Sequence, residues 1–315
     1  MGFYLVTGGA GFIGSHLVEE LLRRGDTVRV LDNFSTGKRE NLAPFFDRIE
    51  LLEGDIRSYH IVREAVKGVD YILHQGALPS VPRSVRDPIT TNEVNVGGTL
   101  NLLDAARDAG VKRVVYASSS SVYGANRALP KQEEMVPHPI SPYAVSKLAG
   151  EQYCHVFSRT YGLETVALRY FNVFGPRQDP RSTYSAFIPK FIVGIMQGTR
   201  LVLDGDGSQS RDFTFVSNVV QANLRAVEAE GVSGEIFNVA CGVSLSLNEI
   251  VAHLRRAIGR EGVIERGPAR AGDVPQSLAD ITRARERLGY EPAVSAREGL
   301  DRVVAWFRQR AGQSG

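Results

Sequence analysis

Tyr143 and Lys147 lie four residues apart, downstream of four consecutive hydroxyls, Ser118, Ser119, Ser120 and Ser121. Residues at i and i+4 share one face of a helix. The run Ser141-Pro142 predicts that such a helix starts here, because serine is a good N-cap and proline suits the first turn. A phenol beside an ammonium is a plausible proton-transfer pair. Free tyrosine ionises near pH ~10, and a fixed positive charge nearby favours the phenolate. A serine from the run could hold or relay the proton of a substrate hydroxyl. Taken alone, Y-x-x-x-K fits a packed tyrosine beside a solvated lysine better than a catalytic pair.

The N-terminus changes that balance. Phe3 to Thr7 is a short apolar run of strand character, followed at once by Gly8-Gly9-Ala10-Gly11-Phe12-Ile13-Gly14. Ser15 to Arg24 then spaces its apolar residues helically and stops at Gly25. Strand, glycine turn and helix together are the context of a dinucleotide site. Gly8, Gly11 and Gly14 would let the turn tighten and a pyrophosphate approach the backbone, with free N–H groups at the helix start. A second apolar strand ends at Asp32, about twenty residues past the loop. A carboxylate there would accept from ribose hydroxyls and repel a 2′-phosphate, which favours NAD over NADP.

Strands and helices continue to alternate as far as Asn172, which implies an α/β fold with a Rossmann-type, doubly wound parallel sheet. The glycine loop, Asp32, the segment His74 to Ala77 and the serine run all fall at carboxyl ends of strands, where such sheets bind ligands. From Gly175 onward proline and glycine increase and the alternation fades. The expected organisation is an NAD-binding Rossmann domain over 1–172 and a smaller mixed α/β, mainly substrate-binding domain over 173–315. Segments near 216–239 are expected to return to the first.

Global quantities fit a soluble enzyme. The 315 residues carry 37 Lys+Arg against 35 Asp+Glu, which argues against a nucleic-acid surface. No apolar run approaches the ~18 residues of a membrane span. The chain enters strand and glycine loop immediately, so no signal peptide is expected. Cys154 and Cys241 are the only cysteines, which suggests a reducing, cytoplasmic setting. Six histidines without ligand spacing give no reason to expect a metal.

TGGAGFIG, Asp32-Asn33, Glu53-Gly54-Asp55-Ile56, the serine run with Val122-Tyr123-Gly124, and Tyr143/Lys147 together resemble the extended short-chain dehydrogenase/reductases. Among these the likeness is to the nucleotide-sugar 4-epimerases, the UDP-glucose/UDP-N-acetylglucosamine 4-epimerase group. It implies that Ser119, counted back from Val122-Tyr123-Gly124, is the catalytic serine beside Tyr143 and Lys147. Around NAD it implies Phe12, Ile13, Asn33, Ser35, Thr36 and Gly37. Asp55 is expected to accept from the adenine amino group beside Ile56. Gln75, Gly76 and Ala77 would pass the cofactor, with Gly76 a mild departure from the alanine usual there. Asn95 and the Phe171 backbone complete that set.

For a UDP-sugar the resemblance implies contacts from Ser119, Ser120, Ser121, Tyr143 and Asn172. Arg211, in a G-x-G-x-x-x-R-D segment, and Arg270, in R-x-G-D, would grip the pyrophosphate, because guanidinium forks match phosphate oxygens. Asp273 would bind the uridine ribose, and Phe187, Leu201, Val202 and Leu203 would wall the uracil. Ser277 stands where 4-epimerases restricted to plain hexoses carry tyrosine, so room for an N-acetyl group is expected. Family dehydratases and decarboxylases carry an acidic residue on the serine strand, and this chain does not. A non-catalytic dinucleotide sensor would commonly lose the tyrosine or the lysine; both are present. The implied activity is reversible C4 epimerisation of a UDP-hexose with NAD, in a homodimer joined through the Asn92 and Tyr143 helices.

Overall fold

The computed structural model describes residues 1–180, 187–268 and 275–312. Thirteen strands occur among them: β1 (Phe3–Thr7), β2 (Thr27–Asp32), β3 (Glu50–Glu53), β4 (Tyr71–His74), β5 (Arg113–Ser119), β6 (Glu164–Tyr170), β7 (Val173–Phe174), β8 (Arg200–Asp204), β9 (Ser210–Asp212), β10 (Thr214–Phe215), β11 (Glu235–Val239), β12 (Ser244–Ser246) and β13 (Val263–Gly267). Seven form one parallel sheet in the order β11-β6-β5-β4-β1-β2-β3. The order reverses direction at β1, so a crevice opens between the carboxyl ends of β1 and β4, as expected for a Rossmann-type sheet. Its strands are apolar on both faces because helices cover both. Leu17, Leu21, Val219 and Val115 pack on one side, and Leu5, Leu102, Val114 and Phe157 on the other.

The chain leaves this sheet after β6 and re-enters it at β11, beside β6. The helix Val216–Glu228 returns as a cover on the sheet, with Val219 and Ala222 inward. A second core gathers Phe191, Ile195, Leu203, Phe215, Leu254 and Val303. Around it β8 pairs in parallel with β13, β9 antiparallel with β12, and β7 in parallel with β10. No helix among the described residues is long and apolar enough to cross a membrane.

Two local features bear on the site. Helix Pro142–Tyr161 begins where the sequence predicts: Ser141 accepts from the Ala144 N–H at 3.2 Å, and Gly162 ends the helix in the left-handed region at φ 71°. The helical segment after Asn92 opens with a π turn, Glu93–Gly97, followed by the α-helix Gly98–Asp108. Such turns often mark functional positions, and Asn95 lies within this one.

Candidate active site

A cleft of about 610 Å³ runs along the carboxyl ends of the sheet, from the glycine loop to Tyr143 and Lys147. Gly8, at φ +66°, starts the loop, and a side-chain carbon at Gly14 would lie 2.2 Å from the Gly8 carbonyl oxygen. Only glycine allows helix Phe12–Arg23 to start this close to β1, which leaves a bare backbone wall suited to a pyrophosphate. Phe12, Ile13, Asn33, Ser35, Thr36 and Gly37 line the same cleft, as do Ile56, Gln75, Gly76 and Ala77.

Asp32 closes the far end of β2. Its carboxylate accepts from the Ala10 N–H at 2.9 Å and the Phe34 N–H at 2.8 Å, one bond to each oxygen. Burial raises its pKa against those two bonds. Each oxygen keeps a second lone pair for a ribose hydroxyl. The residues present therefore fit a dinucleotide without a 2′-phosphate.

Asp55 lines the same cleft. Both of its oxygens are engaged, by the Arg57 guanidinium at 3.0 and 2.8 Å and by Asn33 at 2.9 Å. The Arg57 hydrogen bonds hold its pKa down, at about 2. Arg57 itself lines the cleft. An adenine amino group would have to share Asp55 with that fork.

The end of β4 is set by a chain of hydrogen bonds that sequence reasoning missed. Thr99 donates to the Asn95 carbonyl at 2.6 Å, so it can only accept from His74 Nε2, at 2.9 Å. His74 Nδ1 then accepts from Thr7 Oγ1 at 2.7 Å, and Thr7 in turn accepts from the Gly76 N–H at 3.0 Å. Burial lowers His74 to about 3, so the imidazole stays neutral. The chain fixes the Gly76 backbone on the cleft wall. Asn95 works the same way rather than lining the cleft: 1% exposed, it ties both backbone groups of Leu78 to Ser146 on the Tyr143 helix.

At the other end, Tyr143 lies near Ser119, whose hydroxyl works against the rise in the phenol's pKa. Ser119 Oγ also accepts from the Ser121 N–H at 3.2 Å as β5 turns into the short helix Ser120–Tyr123. Lys147 Nζ donates to the Ala117 carbonyl at 2.8 Å and lies 6.0 Å from the Tyr143 ring centre. Burial lowers Lys147 to about 8. The sequence predicts a phenol lowered by the lysine. In the protein alone burial raises the phenol instead, and only the Ser119 hydroxyl opposes it. Ser120 lies half-buried in the same turn, and Ser121 Oγ is buried with no hydrogen-bond partner among the described residues. Phe171 is fully buried in the core, with its N–H donating to the Val239 carbonyl at 3.1 Å, while the neighbouring Tyr170 lines the cleft and hydrogen-bonds Gln75 at 3.1 Å.

Residues 4–240 match the model of the NAD dependent epimerase/dehydratase family. The chain belongs to that family. NAD is the family's cofactor, and the cleft fits it. A UDP-glucose 4-epimerase of Mycolicibacterium smegmatis is 42% identical over 311 residues, covering 98% of this chain and 99% of its own. The crystal structure of UDP-glucose 4-epimerase from Thermotoga maritima with UDP-glucose superposes with a TM-score of 0.93 at 38% identity, covering 98% and 99% of the two chains. A dTDP-glucose 4,6-dehydratase from Streptomyces venezuelae with NAD bound gives 0.91 at 35% identity, covering 99% and 98%. The likeness thus fixes an enzyme scaffold shared by epimerases and dehydratases.

On this epimerase/dehydratase scaffold the expected sugar-nucleotide residues fall into distinct groups. Asn172 follows β6 at φ 33°, with Nδ2 donating to the Asp212 carbonyl at 3.1 Å. Positive φ is costly for a non-glycine residue, and such strain collects at functional sites. Arg211, on β9, donates to the Ser210 carbonyl at 2.8 Å. The Ser277 N–H donates to the Ser210 carbonyl at 3.0 Å, which brings Ser277 alongside β9. Phe187 stacks on Phe191 at 4.3 Å against the second core. Leu201 and Leu203 are corrections: strand alternation turns both into that core, at 3% and 2% exposure, and leaves only Val202 outward. Arg270 and Asp273 lie outside the described residues.

Proposed function

We propose that this enzyme reversibly interconverts the C4 epimers of a UDP-hexose, UDP-glucose with UDP-galactose, and accepts the N-acetylhexosamine pair as well. The observation that carries the reading is the placement of Tyr143 and Lys147 on one helix face in the cleft that begins at the glycine loop, beside a serine strand without a carboxyl. NAD, when bound, supplies the hydride acceptor and donor at C4 and a positive charge near the phenol. Tyr143, as phenolate, takes the proton of the sugar O4, and Ser119 holds that oxygen. Lys147, aimed by the Ala117 carbonyl, holds the nicotinamide ribose and adds its charge. Arg211 grips the UDP phosphates while the 4-keto sugar turns over about its phosphate linkage and is reduced on its other face.

A dehydratase must remove the C5 proton and expel the C6 hydroxyl, and a decarboxylase also carries an acid on the serine strand. Hydroxyls at Ser118 to Ser121 are poor substitutes for that acid/base pair. Exposed Ile89 and Val145, at 72% and 52%, lie on the helices expected to meet across a homodimer and support that assembly. Incubation with UDP-glucose, UDP-galactose, both N-acetylhexosamine forms and UDP-glucuronate, followed by proton NMR of the anomeric signals, tests the reading. C4 epimers are expected; a 6-deoxy-4-keto sugar or a UDP-pentose would overturn it.

A further inference from the structure

Helix Pro142–Tyr161 carries three polar residues at one-turn intervals on a single face: Tyr143, Lys147 and Glu151. The first two belong to the proposed site. Glu151 does not touch the cleft, yet it is 1% exposed and heavily engaged. Its Oε1 accepts from Arg169 Nε at 2.9 Å and from the Ser118 hydroxyl, and its Oε2 accepts from the second Arg169 nitrogen at 2.8 Å. Arg169, on β6, is 2% exposed, and its guanidinium lies 4.7 Å from the Tyr123 ring centre, just past the serine run. Ser118 lines the cleft between Ala117, whose carbonyl holds Lys147, and Ser119, the serine near Tyr143. The carboxylate is thus tied to the stretch of backbone that holds Lys147 and passes Tyr143.

Stability alone is a poor reason for such a pair, because desolvating two buried charges often costs as much as their attraction returns. We propose that Glu151 is a positioning residue: Arg169 holds the carboxylate, and the carboxylate holds Ser118 in place and sets the charge behind Lys147. The inference rests on the reading of Tyr143 and Lys147 given above.

The surroundings leave Glu151 as the negative charge that matters to the lysine. From the same helix come Tyr143 and Cys154, both raised by burial. From β5 comes Tyr116, its ring centre 5.1 Å from Nζ and its phenol also raised well above the ordinary value by burial. His74, from β4, is neutral. None of these carries charge near neutral pH. Arg169 is the counter-charge: burial opposes its protonation, but the Glu151 hydrogen bonds and charge outweigh it. Burial lowers Lys147, and Cys154 and then Glu151 work against that lowering; burial keeps the Cys154 thiol protonated near neutral pH, which leaves the Glu151 carboxylate.

The test reads Lys147 directly, by carbon NMR of labelled lysine side chains in the full chain as isolated, titrated with pH. Glu151→Gln should lower the Lys147 midpoint by about one unit or more, the scale of a nearby opposite charge. Arg169→Gln, which leaves the carboxylate without its counter-charge, should raise it, and Glu151→Asp should stay near wild type. Ser118→Ala should leave the midpoint unchanged and weaken NAD binding, measured by calorimetry. A merely structural carboxylate would change melting temperatures and leave the midpoints alone. Unmoved midpoints, or shifts of the same sign in the two charge-removing variants, would overturn the proposal. Arg169→Gln and Glu151→Asp decide it by themselves if Glu151→Gln does not fold. No turnover is measured, so loss of the epimerase reading and loss of this one are separable.

Discussion

Lys147 Nζ donates a hydrogen bond to the Ala117 carbonyl at 2.8 Å and lies 6.0 Å from the centre of the Tyr143 ring. The lysine is therefore anchored to β5, and Ser119 is the hydroxyl that counters the effect of burial on the phenol. That division of labour orders the expected mutant effects. Tyr143→Phe should keep NAD and UDP binding and lose roughly 10²-fold or more in turnover, the scale of a removed acid/base group. Ser119→Ala should be more harmful than Ser120→Ala or Ser121→Ala. Steady-state kinetics on the four variants checks both statements, and a crippled Ser120→Ala would move the catalytic hydroxyl by one residue.

The lysine also predicts a pH dependence of stability. Its folded-state pKa is lowered from 10.5 to about 8, so between those values the unfolded chain holds a proton that the folded chain does not. Stability from this group rises with pH across that window. Without cofactor, Lys147→Met should stabilise the protein by up to about 3 kcal/mol at neutral pH. The gain should shrink as pH climbs toward 10.5. Urea unfolding at pH 7 and again near pH 10 gives the comparison; a gain that grows with pH would contradict the assignment.

Asp32 should decide the choice of dinucleotide. In Asp32→Asn the two backbone N–H groups of Ala10 and Phe34 face a neutral amide, and the ribose loses a charged acceptor. Charged hydrogen bonds contribute about 1.5–3 kcal/mol each, so NAD affinity should fall at least tenfold. Rejection of NADP should weaken in the same variant, because the repelling charge is gone. Calorimetric titration with both dinucleotides measures each effect, and unchanged discrimination would assign selectivity elsewhere.

Ser277 is half-buried beside β9 and Arg211. A tyrosine there would fill the space an acetamido group at the sugar C2 needs, and overlap in a packed site costs about 1–3 kcal/mol. Ser277→Tyr should suppress N-acetylhexosamine turnover and spare UDP-galactose. Equal handling of both sugars by the variant would show that Ser277 is not the gate.

Much of this was legible in the sequence because it depends on local pattern. The strands of the main sheet are short apolar runs between glycine and polar turns, and the Ser141-Pro142 start of the Tyr143 helix is a local signal. What stayed hidden depends on residues far apart in the chain. His74 joins Thr7 to Thr99, and Glu151 joins Ser118 to Arg169, through contacts that no spacing rule encodes. Arg57 was nearer to reach, since an arginine two residues after Asp55 can fold back on that carboxylate. Leu201, Val202 and Leu203 read as one apolar block in the sequence, and only the second core, which covers the inward face of β8, separates the two leucines from the valine.

On the proposed reading, hydride chemistry is confined to C4 of a UDP-sugar, with Tyr143 as the base. Its most direct test is incubation of UDP-galactose or UDP-N-acetylgalactosamine with the enzyme in deuterium oxide, with the products read by proton NMR and mass spectrometry. The expected product is the 4-epimer with ordinary hydrogen kept at both C4 and C5, with no such product from Tyr143→Phe on the same timescale. Deuterium at C5, or a 6-deoxy-4-keto product, would contradict it.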